Sequence, residues 1–234
     1  MLAMGYNWAG DTIIRDTVMW DRRAVLGYSN IYIPTDIRAW LNSANSEVLN
    51  RALQEMGLPA ARGAGTFDLR AWRIWDYVAQ CVEYVTDKKS CGMEDFWLFP
   101  EETLMLHKGD CEDSSFLLAS LLLASGISEH CVRVALGKVI SSDGAFGHAW
   151  VVYQNEEGRW CLLESTLDSV PSRLVPADSL AQPGNQCQYQ PQFCLNASHL
   201  WSITPMKMQM ADYIKMRRLK PERKAEKAFG AALF

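Results

Sequence analysis

The stretch "HKGDCEDSSFLLASLLLASG", His107–Gly126, decides how this chain is read. It places a lone cysteine, Cys111, among Asp110, Glu112 and Asp113, where a long apolar run begins. A cysteine needed only for packing belongs inside the Leu/Ala run. Cys111 stands at its start, just after Gly109 and Asp110. The pattern predicts a helix from Cys111 to Ser125, stopped by Gly126 as a C′ glycine. Its interior is apolar on nearly every side, which marks a buried central helix.

That position has chemical meaning. Thiolate is the nucleophilic form of cysteine, and a helix N-terminus favours it through the macrodipole. The unsatisfied N–H groups there also suit a developing oxyanion. The flanking acids oppose a second negative charge, so the site asks for a cation, and a protonated histidine answers best. The acids themselves are expected to be helix-capping and surface groups.

Two further segments supply partners. His148 lies in "FGHAWVVY", on a predicted strand whose period of two fixes the direction of its ring. Glu164 follows in "RWCLLEST", on the next predicted strand, where a carboxylate can orient an imidazole and stabilise its charged form. Asp168 is the fallback acid. No short-range spacing among Cys111, His148 and Glu164 supports a metal site, so neither metal nor cofactor is expected.

The rest of the chain reads as α+β. Trp72, Trp75, Val78 and Val82 recur at helical spacing, predicting an amphipathic helix over 68–86. Pro100 starts a short helix. After residue 130 the segments are short and β-branched or aromatic, and the Asn155–Gly158 turn predicts an antiparallel hairpin. Residues 1–66 read as a mostly helical extension, with helices near 36–41 and 47–56. Residues 169–192 carry four prolines and read as an irregular excursion. Residues 206–234 hold eight Lys/Arg against three Asp/Glu, which makes the remainder of this -4 chain acidic. This tail reads as partly helical and as a candidate contact for an acidic partner.

At 234 residues and 49% hydrophobic composition, the chain has enough material for one buried core and is not a disordered one. No stretch reads as a signal peptide or a bilayer span, so a soluble, cytoplasmic protein is expected. The seven cysteines show no C-x-x-C pair and read as reduced thiols. No nucleic-acid partner is expected.

Three blocks in order, "GDCED" with its Leu-rich helix, "GHAW" on a strand and "RWCLLEST", resemble the transglutaminase-like cysteine enzymes. "FWLFPEETLMLHKGDCED" is similar to the approach to the nucleophile in prokaryotic members. The resemblance covers about 67–203. It implies a papain-like core, with a buried nucleophile helix packed on an antiparallel sheet in a catalytic domain at 67–205. It also implies Cys111 as nucleophile, His148 as general base and acid, an acidic partner for the histidine, and a protein or peptide substrate. Members use an oxyanion donor upstream of the cysteine, for which Trp97 is the candidate. The family often has Asp in an "LDPT"-like third block, where this chain has Glu164-Ser165-Thr166. Hydrolysis of an amide through a thioester is the expected activity. Resolution of the thioester by an amine, a non-catalytic binding module on the same fold, and an assembly protein built on the two terminal segments are the alternatives.

Overall fold

A computed structural model of the chain describes residues 12–14, 18–26, 29–41, 46–58, 67–177 and 187–203. The C-terminal basic tail lies outside the described residues. In chain order the strands are β1 (Thr12–Ile14), β2 (Met19–Leu26), β3 (Ser29–Asp36), β4 (Glu83–Tyr84), β5 (Lys108–Gly109), β6 (Val132–Ser141), β7 (Gly144–Gln154), β8 (Trp160–Leu163), β9 (Val175–Pro176), β10 (Gln188–Leu195) and β11 (Leu200–Ser202). The α-helices are α1 (Glu47–Glu55), α2 (Phe67–Cys81), α3 (Asp87–Ser90), α4 (Pro100–Leu106) and α5 (Cys111–Ala124).

Helix α5 organises everything else. Every residue from Cys111 to Leu122 is buried, so the helix needs apolar neighbours on all sides. It packs on β6 and β7 on one side, and on α1, α2 and α4 on the other. Each buried Leu or Phe contributes on the order of 1.5–3 kcal/mol through area removed from water. The helix stops where Gly126 adopts φ 93°, a conformation open to glycine.

The sheet has seven strands in the order β1-β11-β10-β6-β7-β8-β9, every pairing antiparallel. The predicted hairpin is β7–β8, closed where the Gly158 N–H donates to the Asn155 carbonyl at 2.8 Å. The α+β expectation holds. The sheet closes tightly at Gly137, which pairs with His148 on β7 and Pro191 on β10. A Cβ there would lie 2.2 Å from the Gln190 carbonyl oxygen, so glycine is what lets β10 approach β6.

Three expectations are corrected. Among the described residues of the N-terminal region strand outweighs helix: β2 and β3 form an antiparallel ribbon, and β1 joins the main sheet beside β11. Only the 3-10 turn Ile37–Leu41 and α1 match the two expected helices. Helix α2 ends at Cys81, short of residue 86, because the chain turns out to pair β4 with β5. Within the Pro-rich 169–192 segment, β9 pairs with β8 and β10 with β6. Pro191 is accommodated there next to a register shift between Pro191 and Phe193.

Candidate active site

The approach to Cys111 is set by local chemistry. Pro100 fits the first turn of α4, where the missing N–H costs nothing, and Glu102 accepts the Phe99 N–H at 2.7 Å. Helix α4 ends on His107 at φ 52°. Gly109 follows because a Cβ at that position would meet the Asp113 Cβ at 2.6 Å. Asp110 then precedes α5, and Cys111 becomes its first residue. The Cys111 N–H therefore has no carbonyl four residues back within the helix.

The fold brings Cys111, His148 and Glu164 together. The His148 Nε2–H donates to Glu164 Oε2 at 2.7 Å. Cys111 acts on the same imidazole and raises its pKa together with Glu164. Cys111 is 0% exposed, His148 3% and Glu164 0%. Burial alone would lower the His148 pKa, but the Glu164 carboxylate and the Cys111 thiol outweigh it and push it up to about 9. Burial alone would raise Glu164, and the bonds from His148 and Thr166 instead hold it below the usual carboxylate range. The two shifts agree: at neutral pH the pair is imidazolium and carboxylate.

Glu164 is held from four directions. Oε1 accepts the Thr166 N–H at 3.0 Å and its hydroxyl at 2.7 Å. Oε2 accepts His148 and the Tyr189 hydroxyl, the latter at 3.0 Å. The Glu164 carbonyl accepts the Trp75 indole N–H at 2.7 Å, tying the segment to α2. Trp150 stacks on His148 with centroids 6.0 Å apart. Sequence reasoning overlooked Thr166 and Tyr189. A threonine two residues after an acid is a local turn signal that was available for the first. Tyr189 stands inside the Pro-rich segment and carried no signal.

The acids beside Cys111 are not surface groups. Asp110, Glu112 and Asp113 are all buried. Asp113 does act at the helix start: Oδ1 accepts the Leu98 N–H at 2.8 Å and Oδ2 the Asp110 N–H at 3.1 Å. The Cys111 thiol donates to Glu112 Oε2 at 3.3 Å, a contact that favours thiol over thiolate and opposes the pull of His148. Burial, with the charge of Glu112 added, pushes Asp110 and Asp113 well above the usual carboxylate range. Asp87 and Asp95 complete the group. Oxygens of Asp87, Asp110 and Asp113, and of Asp87, Asp95 and Glu112, lie within 4.8 Å of one another. These are the hard donors that a divalent cation takes.

Trp97 and Asp168 differ in setting. Trp97 is buried against Trp20, Trp40 and Phe116, and its indole N–H donates to Asp95 Oδ1 at 3.0 Å. Asp168 is exposed and lines a cavity of about 450 Å³ between the end of α2, β5 and the Ser165–Asp168 loop. His107, in that same wall, pairs with Cys81 at 3.3 Å. All seven cysteines are free thiols. Among the described residues, no helix is long and apolar enough to cross a membrane.

Residues 56–165 match the family described as the transglutaminase-like superfamily. Three solved structures of Legionella pneumophila LapG are similar to this chain. One is 21% identical over 71% of this chain and 85% of that one, with a TM-score of 0.48. The EGTA-treated form is 19% identical over 79% and 96%, with a TM-score of 0.49. The calcium-bound form is 20% identical over 63% and 77%, with a TM-score of 0.45. No curated protein matches.

Proposed function

From the membership of residues 56–165 in the transglutaminase-like superfamily, we propose that this chain is a cysteine hydrolase of amide bonds in proteins or peptides. What carries the reading is His148, held at 2.7 Å by Glu164 and acted on by Cys111.

The chemistry follows in balanced steps. With His148 already an imidazolium, Cys111 reacts as the thiolate of that pair, and its sulfur attacks the amide carbonyl carbon. The carbonyl oxygen becomes an oxyanion, which the N–H groups at the start of α5 are oriented to receive. The tetrahedral intermediate collapses, the C–N bond breaks, and imidazolium gives its proton to the departing amine. A water molecule, deprotonated by His148, then attacks the thioester. The C–S bond breaks, the acid leaves, and the thiolate–imidazolium pair is restored. Glu164 remains ionised throughout and keeps the imidazole in one tautomer. Trp97 takes no step in this scheme, since its N–H is given to Asp95.

The first test is alkylation of Cys111 by iodoacetamide against pH, read by mass spectrometry, in wild type and His148→Ala. Removing the imidazole also changes access to the buried sulfur, so ionisation is read from the pH dependence of each rate and not from its absolute value. The wild type is expected to react at pH values well below the reference thiol pKa of ~8.5, and the variant to lose that reactivity. Peptide hydrolysis is expected to fall by about 10²–10⁴-fold in the same variant. Equal alkylation profiles in the two proteins would sink the Cys–His pair. Incorporation of an added amine in place of water would reassign the second step to acyl transfer.

A further inference from the structure

Tyr189 enters the site from β10, a strand that belongs neither to the nucleophile helix nor to the His148–Glu164 hairpin. Its hydroxyl goes to Oε2, the same oxygen that His148 uses, rather than to Oε1. A carboxylate offers about four lone-pair positions, and with Tyr189 all four on Glu164 are taken. The ring is fixed as well: it meets Trp150 edge-on at 5.2 Å, and Trp150 stacks on His148. The bare Gly137 backbone lets β10 come this close, two residues along the strand.

We propose that Tyr189 is a positioning residue for this chemistry, acting through Glu164: its phenol holds Oε2 in place and limits how tightly that oxygen retains the proton shared with His148. The proposal rests on the hydrolase reading given above. A donor on Oε2 stabilises the carboxylate most when the imidazole beside it is neutral, because the anion is then least compensated. The donor thus lowers the proton affinity of His148 and eases proton delivery to the leaving amine. The groups facing His148 are Cys111 from α5, Glu164 after β8 and, through Glu164, Tyr189 from β10. Cys187 is the next titratable group, beside Glu164.

The test compares wild type with Tyr189→Phe, which keeps the ring and removes the donor. On a peptide substrate, kcat is expected to fall on the order of tenfold, the equivalent of one hydrogen bond to a charged group, with KM unchanged. The basic limb of the rate profile moves to higher pH. The His148 imidazole, followed by ¹⁵N NMR without substrate, titrates higher in the variant by the same amount. Site-specific 3-fluorotyrosine at position 189 keeps the size and donates more strongly, so it moves that titration down. An unmoved His148 titration in both variants overturns the proposal, including the case where kcat and Tm fall together, since that is structural support alone. If the wild type cleaves no amide, the hydrolase reading fails by itself, and the imidazole titration still decides for or against Tyr189.

Discussion

Two sets of buried carboxylates flank Cys111, and they are held in opposite states. Glu164 receives four hydrogen bonds, one of them from an imidazolium, and stays ionised. Asp110 and Asp113 are equally buried but face Glu112 and Asp87 in place of a cation, and their pKa values rise. Burial is the same on both sides. What differs is the count of donors and the sign of the nearest charge, and that difference decides which acid does electrostatic work.

The largest effect expected from breaking this contrast comes from Glu164→Gln. The shape is kept, but the imidazolium loses its counter-charge and its tautomer is no longer imposed. Amide hydrolysis should fall by about 10²–10⁴-fold. Removing one partner of a buried pair should also cost roughly 3–5 kcal/mol, read by urea unfolding. A loss under tenfold would show that Glu164 is only packing.

The second test concerns the acids beside the nucleophile. Their raised pKa values mean that their share of stability is complete below the ordinary carboxyl range and is lost as pH rises through the folded values. The double variant Asp110→Asn with Asp113→Asn should therefore unfold with a flatter pH dependence, measured in chelating buffer from mildly acid to mildly alkaline pH. Equal slopes would mean that the wild-type acids already ionise at no cost. His148 adds to the same trend in both proteins, since stability linked to its raised pKa is present below about 6.5 and lost through about 9.

The smallest effect belongs to Thr166→Val, which removes one hydroxyl from Glu164 Oε1. The cost should be about 1 kcal/mol at neutral pH. Because Glu164 is depressed, its contribution is present above the ordinary carboxyl value and lost as pH falls. With one donor gone, acid unfolding should begin at a higher pH. An unchanged acid midpoint would mean that the Thr166 hydroxyl contributes nothing to the low Glu164 pKa.

What was legible in the sequence was local. Cys111 announces itself by standing before an apolar helix, His148 by following a glycine on a strand, and Glu164 by its place on the next one. Burial of Asp110, Glu112 and Asp113 was not legible, because charged residues at a helix start are usually solvated, and partners such as the Leu98 N–H on Asp113 come from outside the helix. Tyr189 was hidden by Pro191, which argues against a strand unless a register shift accommodates it. The β2–β3 ribbon was missed although Leu26 and Ser29 pair across only Gly27-Tyr28, a two-residue connection of the hairpin kind.

Strand β1 pairs Thr12 with Ser202, so the first and last described strands lie side by side at one edge of the sheet. During synthesis β1 must wait until β11, far along the chain, has emerged before its partner exists. Such a long-range closure forms slowly, and it leaves the β11 edge open to pairing with other chains until then. A ribosome stalled before residue 200 would release a product whose nucleophile helix and hairpin are complete but whose sheet is unsealed. Linking Ile203 directly to Thr12 by a short turn and reopening the chain at the Asn155–Gly158 turn would make β11–β1 a local hairpin and speed folding.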